Sequence, residues 1–276
     1  MSLQWYPGHM TKARRELAKR IASEDLVIEV LDARLPAASS NPVLEELRGD
    51  KPCVKVLTKS DLADAATTSA WIRRFEAQPR VSAFASTTER PGDTRRRVDE
   101  LARAAVGPLG KHRPIRAVVA GVPNVGKSTL INTLMGRDVA KVRDKPAVTT
   151  AQQTVTLATG MVLTDSPGLM WPKIEDEVGA MRLALAGSIP DTAIDYLTVA
   201  LFGAAYLLEV AAPALVARYK LPGVPASPTA LLEEIGRRRG ALRAGGVIDL
   251  HKASEVLVHE FRAGALGRIS LEAPPI

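Results

Sequence analysis

The chain has 276 residues, 46% of them hydrophobic and 24% charged, which excludes a disordered chain and allows one α/β domain plus a smaller one. Its formal net charge of +7 suits a polyanionic partner, although a mildly basic soluble enzyme would carry the same charge. The single cysteine, Cys53, excludes disulfides and cysteine metal sites and indicates a reducing cytoplasm.

The first predicted element is a basic amino-terminal helix. The segment lacks the apolar core of a secretory signal, so we do not interpret it as a removable targeting sequence. The chain has three basic clusters: Lys12, Arg14, Arg15, Lys19 and Arg20; Arg95, Arg96, Arg97 and Arg103; Arg237, Arg238, Arg239 and Arg243. With 4% aromatic residues, contact with the phosphates of folded RNA is favoured over base stacking. Each cluster could equally be a solvated helix face.

Strands and helices alternate over residues 1–178, which predicts a doubly wound, mainly parallel sheet. The expected strands are Leu26 to Leu31, Cys53 to Leu57, Arg80 to Phe84, Arg116 to Ala120, Thr154 to Leu157 and Met161 to Thr164. The strand pattern then stops, and the expected helices are Ala180 to Ala186, Thr192 to Val210, Pro213 to Tyr219, Thr229 to Arg238 and Leu250 to Ala263. We therefore expect an α/β domain over residues 1–178 and a small all-α domain over residues 179–276.

The stretch from Tyr196 to Ala217 is apolar enough to suggest a membrane span. Glu209 and Pro213 interrupt it, and an unpaired charge is costly in lipid. A buried helix of the second domain is therefore expected, with no membrane partner.

A polar segment, TKSD from Thr58 to Asp61, follows the apolar strand Cys53 to Leu57, where ligands of open α/β sheets bind. It is similar to the guanine-reading NKxD motif of GTPases. The carboxylate of Asp61 can accept from both N1–H and the exocyclic amine of guanine, whereas adenine has an acceptor at N1. Thr58, Lys59 and Asp61 are therefore candidate guanine-binding residues, and an ordinary helix N-cap is the alternative. Ala85 and Ser86, after the next strand, are assigned to the same pocket as the fifth GTPase motif (G5). The exact position of that motif stays open.

Residues Gly121 to Thr129 read GVPNVGKST, the phosphate-binding loop of nucleoside triphosphatases, between a predicted strand and a predicted helix. The glycines let successive N–H groups face one anion above the positive end of the helix. Lys127 is expected to reach the β- and γ-phosphates and the Ser128 hydroxyl to bind Mg²⁺. The candidate nucleotide-binding residues of this loop are Asn124, Val125, Gly126, Lys127, Ser128 and Thr129.

Two further segments complete the predicted site. Asp165 ends the last strand and is expected to approach Mg²⁺ through water, while Gly168 can offer its N–H to the γ-phosphate. Thr149 is the better candidate for a second Mg²⁺ hydroxyl, and Thr150 is the alternative. The predicted cofactors are thus GTP or GDP and Mg²⁺. A switch at Gly168 would pass movement to the helical domain.

The base motif precedes the phosphate loop, so the usual order of GTPase motifs is permuted, which a site built from converging loops permits. This order, with QWYPGHMTKARRE (Gln4 to Glu16), DARLPAASSNP (Asp32 to Pro42), TTAQQ (Thr149 to Gln153) and DSPGLMWPKIEDE (Asp165 to Glu177), resembles the ribosome biogenesis GTPase A (YlqF/RbgA) family of circularly permuted GTPases. The resemblance runs from residue 4 to GRISLE near the end. It implies a GTPase that acts on a late precursor of the large (50S) ribosomal subunit and contacts its rRNA.

Three departures from GTPase patterns qualify the chemistry. Thr58 replaces an asparagine, so we expect loss of an amide that can bond the purine ring and the phosphate loop, which weakens nucleotide binding by about 1 kcal/mol while Asp61 keeps the specificity. Ala147 replaces a glycine in the first switch, the segment that holds Thr149, and should stiffen it. Leu169 stands where many GTPases have a water-orienting glutamine. The resemblance favours His9 as the catalytic group, with packing or rRNA contact as the alternative. Asn124 resembles the asparagine of K⁺-dependent GTPases, a role that an arginine finger could take instead.

The motifs predict a GTPase and the single cysteine a cytoplasmic one, while the family resemblance implies that it is slow alone and stimulated by the ribosomal subunit. We expect a monomer. A permuted GTPase acting on another RNA, such as tRNA or the small subunit, shares every chemical motif. A non-hydrolysing RNA-binding scaffold is disfavoured by Lys127, Ser128 and Asp165.

Overall fold

The structure is a computed structural model that describes residues 7–108, 113–136, 154–166 and 176–275, without the side chains of residues 7–13. The chain forms two compact units, Met1–Glu175 with Glu272–Ile276 and Asp176–Leu271. The expected helical domain included the last residues. These belong instead to the first unit, where the Glu272 carboxylate accepts hydrogen bonds from the backbone N–H groups of Ala37 and Ala38.

The first unit is built on one six-stranded sheet. Its strands are β1 (Leu26–Asp32), β2 (Cys53–Thr58), β3 (Val81–Ala85), β4 (Arg116–Ala120), β5 (Thr154–Thr156) and β6 (Val162–Asp165). The strand order is β3-β2-β1-β4-β6-β5, and only β5 runs antiparallel to its neighbour within this sheet. The predicted doubly wound, mainly parallel sheet is confirmed.

Strands β1 and β2 form the centre of the core. Every residue of both strands is buried. This is expected of inner strands of a parallel sheet, because helices cover both faces of such a sheet. The register pairs Val27 with Cys53 and Asp32 with Thr58. Two charged side chains, Glu29 and Lys55, lie inside this sheet and form an ion pair, as buried charges require.

The order of the strands determines where a ligand can bind. The chain proceeds from β1 outward to β2 and β3, then returns to place β4 on the other side of β1. The loops that follow β1 and β4 therefore diverge at a topological switch point, where open α/β sheets bind their ligands. Both predicted nucleotide motifs follow strands at this edge.

The helices of the first unit are α1 (Pro7–Ser23), α2 (Pro36–Ser39), α3 (Pro42–Arg48), α4 (Ala65–Glu76), α5 (Pro91–Val106) and α6 (Lys127–Leu134). Proline occupies the first turn of α2, α3 and α5, where its missing N–H costs nothing. Side chains cap α3 and α4. Asn41 accepts a hydrogen bond from the N–H of Val43 at the start of α3, and Asp64 accepts one from the N–H of Thr67 at the start of α4.

The second unit contains the helices α7 (Glu177–Ala186), α8 (Tyr196–Val210), α9 (Ala212–Tyr219), α10 (Pro228–Arg239) and α11 (Leu250–Arg262). The single helix expected from Thr192 is wrong at its start. Asp195 accepts from the N–H of Thr198 and caps α8, so Asp191–Ala193 form a separate 3₁₀ turn.

Within the part of the chain that the structure describes, no single helix is long and apolar enough to cross a membrane. Helices α8 and α9 together have sufficient length and apolar composition, but they are bent by 110°.

Candidate functional site

The phosphate loop lies between β4 and α6. Gly121 approaches β1 so closely that a Cβ there would stand 2.5 Å from the carbonyl oxygen of Val30, so the position excludes every side chain. Gly126 has φ +104° and caps α6, and Asn124 also has a left-handed backbone, with φ +57°. The loop therefore turns sharply and ends at the positive end of α6, the arrangement that binds phosphate.

The side chain of Lys127 is folded back onto this loop. Its Nζ donates to the carbonyl oxygens of Gly121 at 3.0 Å and of Val122 at 2.8 Å, and the residue is 9% exposed. Burial lowers the pKa of Lys127 to about 8, and the carboxylate of Asp165 opposes that fall. A phosphate group would replace two neutral carbonyls with anionic oxygens, which an ammonium binds more strongly.

Asp165, at the end of β6, is aligned with Val119 of β4 and so lies at the same edge as the phosphate loop. Its Oδ1 is buried and has no hydrogen-bond partner among the residues that the structure describes. Burial raises the pKa of Asp165, and Lys127 opposes the rise. An orphaned carboxylate oxygen fits a hydrated Mg²⁺, and Ser128, exposed in the first turn of α6, can supply a hydroxyl ligand.

The TKSD segment begins at the last residue of β2, and Lys59 has a left-handed backbone with φ +55°. Asp61 is half-buried. The alternative interpretation, that these residues only cap a helix, is wrong, because Asp64 is the residue that caps α4. Asp61 therefore follows β2 at the edge of the sheet and lies outside the cap of α4.

The loop after β3 joins this segment. The hydroxyl of Ser60 donates to the carbonyl oxygen of Ser86 at 3.0 Å, and the N–H of Ser60 donates to the same oxygen at 3.2 Å. The hydroxyl of Ser86 lies 3.0 Å from that of Thr94 in α5. Ala85 ends β3 and is exposed, so Ala85 and Ser86 lie beside TKSD.

The base motif and the phosphate loop are in direct contact. The hydroxyl of Thr58 is within hydrogen-bond distance of the carbonyl oxygen of Val125, and it lies 2.9 Å from that of Leu31. Nζ of Lys59 donates to the carbonyl oxygen of Asn124 at 2.9 Å. The expected loss of a phosphate-loop contact at Thr58 is wrong, since the threonine hydroxyl reaches the loop directly. The expected loss of a purine contact stays a prediction.

Two functional candidates were missed by the sequence analysis. Asp32, the last residue of β1, accepts from Nε and Nη2 of Arg34 at 3.0 and 2.8 Å and from Nζ of Lys59 at 2.8 Å. Both Asp32 and Arg34 lie in DARLPAASSNP, which served only as a mark of resemblance. The useful signal was an acid and a base directly after an apolar strand at the ligand-binding edge.

Several predicted site residues lie outside the described part of the chain. These are Thr149, its alternative Thr150, and Gly168, together with Ala147 and Leu169. His9 lies in the first turn of α1, since that helix begins at Pro7, but its side chain is also outside the description. Asn124 is exposed in the phosphate loop, and its proposed K⁺ contact stays a prediction.

The basic clusters contain many ion pairs. In α5, Arg96 pairs with Asp93 and Glu100, Arg97 with Glu100, and Arg103 with Asp99, while Arg95 donates to the carbonyl oxygen of Thr133. In the second unit, Arg237 pairs with Glu233 and Glu234, Arg238 with Glu234, Arg239 with Glu260, and Arg243 with Asp249. Much of their positive charge is balanced locally.

The parallel sheet, the phosphate loop after β4 and the TKSD segment after β2 define an α/β P-loop GTPase. A family model described as 50S ribosome-binding GTPase matches residues 116–200. The chain belongs to the ribosome biogenesis GTPase A family, as its relatives show.

It is 40% identical to ribosome biogenesis GTPase A of Bacillus licheniformis, over 99% of both chains. It is 38% identical to that of Bacillus cereus, over 99% of this chain and 95% of the relative. GNP-bound YlqF from T. maritima superposes with a TM-score of 0.68 at 29% identity, covering 95% of this chain and 98% of the other. The chain is therefore a guanine-nucleotide-binding GTPase of ribosome assembly.

Proposed function

We propose that this GTPase acts in the cytoplasm as a monomer on a late precursor of the large ribosomal subunit, whose rRNA it contacts. Hydrolysis is slow in the isolated protein and is stimulated by the subunit. The observation that carries the nucleotide assignment is the contact of Thr58 and Lys59 with the phosphate loop, which joins two distant motifs into one site. The names of the relatives support the ribosomal target.

In this proposal Asp61 reads the guanine base, with Lys59, Ala85 and Ser86 beside it. The loop from Asn124 to Thr129 surrounds the phosphates with backbone N–H groups, and Lys127 leaves the carbonyls of Gly121 and Val122 to bind the β- and γ-phosphates. Gly168 offers its N–H to the γ-phosphate.

Ser128, Asp165 and one switch threonine, Thr149 or Thr150, would hold Mg²⁺. When bound, the ion neutralises charge on the phosphate oxygens. The buried, unpartnered Oδ1 of Asp165 supports this assignment. K⁺ at Asn124 would add a second positive charge.

His9 is the proposed catalytic residue, because Leu169 cannot orient water. A neutral imidazole can accept a proton from the attacking water. His9→Ala should keep GTP affinity and lower subunit-stimulated turnover by roughly 10²- to 10⁴-fold. Normal stimulated turnover in this variant would remove His9 from the mechanism.

Co-sedimentation tests the ribosomal target. The protein would be loaded with a non-hydrolysable GTP analogue or with GDP and spun with precursor large subunits, mature large subunits and small subunits. We expect the analogue form to bind precursor large subunits best, because the γ-phosphate orders the switches. Lys127→Ala, which loses the triphosphate, is the matched control.

The alternative functions predict different results. Preference for the small subunit or for free tRNA would make this a GTPase that acts on another RNA. Equal binding of wild type and Lys127→Ala, with no GTP hydrolysis, would indicate a scaffold whose nucleotide pocket is only structural.

A further inference from the structure

A cluster of three charges, two of them fully buried and Lys59 partly exposed, lies at the junction of the two nucleotide motifs. Its centre is the carboxylate of Asp32, which is 0% exposed, and its second member is Arg34, which is 1% exposed. The guanidinium of Arg34 donates hydrogen bonds to both carboxylate oxygens of Asp32, from Nε to Oδ1 at 3.0 Å and from Nη2 to Oδ2 at 2.8 Å. This bidentate geometry fixes the orientation of the carboxylate as well as its charge.

The third member, Lys59, connects this cluster to the phosphate loop. Its Nζ lies 2.8 Å from Oδ2 of Asp32 and 2.9 Å from the carbonyl oxygen of Asn124. An ammonium has three donors on a flexible stem, so a second fixed acceptor is needed to hold it in one place. Asp32 supplies that acceptor.

The position of Asp32 is itself supported from α2. The backbone N–H of Asp32 donates to Oγ of Ser39 at 3.1 Å, and the Ser39 hydroxyl donates to the carbonyl oxygen of Leu35 at 2.8 Å. The backbone N–H of Arg34 also donates to Oδ1 of Asp32 at 3.0 Å. The carboxylate therefore has a fixed backbone on one side and a fixed cation on the other.

The charges of this cluster are stable at neutral pH. Burial would raise the pKa of Asp32, but Arg34 and Lys59 outweigh it and hold that pKa well below its usual range. Burial would lower the pKa of Arg34, but the carboxylate of Asp32 outweighs it and holds that pKa above its usual range.

We propose that Asp32 is a positioning residue of the nucleotide site: its carboxylate, oriented by Arg34, holds Lys59 against the phosphate loop before the nucleotide binds. Such preorganisation lowers the ordering cost of binding, so it strengthens nucleotide affinity and slows release. Asp32 itself touches neither base nor phosphate in this role. The inference rests on the proposed nucleotide site, in which Lys59 belongs to the base motif.

The test compares two buried acids on the same strand. Asp32→Asn should release a fluorescent GDP analogue roughly 10- to 100-fold faster, the range expected when a hydrogen bond to a charged group is lost.

Glu29→Gln is the matched control. Glu29 also lies in β1, is 3% exposed, and pairs with Lys55 of β2, as Asp32 pairs with Lys59. Its other bonds, to the Ser40 hydroxyl and the Asn41 N–H, do not lead to a nucleotide loop. The control should lose stability in urea as Asp32→Asn does, yet release GDP at the wild-type rate.

A milder variant covers the case in which Asp32→Asn does not fold. Ser39→Ala removes the hydroxyl that accepts from the Asp32 amide and changes no charge, and it should speed GDP release in the same direction. A double-mutant cycle adds the mechanism: in a Lys59→Met background, Asp32→Asn should have little further effect on release.

The results distinguish an error in the proposed nucleotide site from an error in the proposed role of Asp32. If Lys59→Met binds GDP normally, the assignment of the nucleotide site is wrong. If Lys59→Met releases GDP fast while a folded Asp32→Asn and Ser39→Ala do not, the site stands and the positioning role of Asp32 is refuted. An effect of Glu29→Gln as large as that of Asp32→Asn would also refute it, since general destabilisation would then be sufficient.

Discussion

The choice of base in the proposed pocket depends on one side chain, Asp61. Asp61→Asn replaces an acceptor oxygen with a donor amide, which can pair with the oxo group that xanthine has where guanine has its amine. We expect GDP to lose affinity and xanthosine diphosphate to compete, in a competition assay against a fluorescent nucleotide.

Asp64→Asn is the control for this change, because it alters the same atoms three residues further on. Asp64 caps α4, and asparagine is an equally good cap, so neither fold nor base preference should change. An unchanged guanine preference in Asp61→Asn would place the base elsewhere.

Cys53 offers a residue-level probe of the first unit. It is a free, buried thiol in β2, and burial raises its pKa to about 12, with the carboxylate of Glu29 adding to the rise. A thiol with this pKa is almost entirely protonated at pH 8 and reacts slowly with alkylating agents. Iodoacetamide should therefore label the native protein far more slowly than the urea-unfolded protein, as measured by intact mass.

Nucleotide should slow this labelling further. A ligand that binds only the folded state reduces the population of open molecules in proportion to its concentration over its Kd. Since Cys53 is the single cysteine in the chain, the mass change reports on this strand alone. Rapid labelling of the native protein at pH 8 would contradict the buried position of the thiol.

At the scale of elements, the strands could be predicted from the sequence because both faces of a parallel sheet are covered. This produces continuous apolar runs, and each predicted strand lies within one or two residues of β1 to β6 at either end. The phosphate loop could also be predicted from the sequence, because its glycines occur at fixed spacing. The structure shows why one of them is required: a Cβ at Gly121 would stand 2.5 Å from the carbonyl oxygen of Val30.

The polar contacts between elements could not be predicted in this way. Periodicity indicates which face of an element is buried, and it does not indicate which distant polar group will meet it. The bond from Thr58 to Val125, the pairing of Asp32 with Lys59, and the return of Glu272 to α2 all join loops that are separate in sequence. Each depends on the finished sheet.

The hydrogen bonds between Glu272 and α2 give a prediction at this scale. Its buried carboxylate accepts from the N–H groups of Ala37 and Ala38 at the start of α2, and its carbonyl oxygen accepts from Nε1 of Trp71 at 3.3 Å. Glu272→Ala removes the carboxylate that these two partly buried N–H groups share, and the lost hydrogen bonds to a charged group should cost about 1 to 3 kcal/mol in the free energy of unfolding. Urea denaturation measures the loss.

Glu46→Ala is the comparison, since Glu46 pairs with Arg14 at the surface and such pairs contribute little. If Glu272→Ala is as stable as this control, the carboxyl-terminal residues do not hold α2. Glu272→Gln keeps an acceptor oxygen and should lie between the two variants in stability.

At the scale of the whole molecule, whose net charge is +7, the basic clusters differ in how many of their cations form ion pairs. The carboxyl-terminal cluster is made of arginines that each pair with an acid: Arg237, Arg238, Arg239 and Arg243. In α1, by contrast, Arg15, Lys19 and Arg20 form no ion pair with any residue that the structure describes, and Arg15 and Lys19 are exposed. If the protein contacts rRNA as proposed, the two clusters should therefore contribute differently to that contact.

A salt titration of subunit binding distinguishes them. A cation that contacts a phosphate releases a counterion, so removing it lowers the logarithmic salt slope by roughly one. Alanine at Arg15, Lys19 and Arg20 should give nearly this full change per residue if α1 contacts rRNA. Alanine at the four carboxyl-terminal arginines should give less per residue, because these cations are already paired with carboxylates and must leave them to contact phosphate. Equal changes per residue would show that the ion pairs do not restrain the arginines. No change in either variant would mean that neither cluster contacts phosphate, and the cations of α5 would become the surface to test.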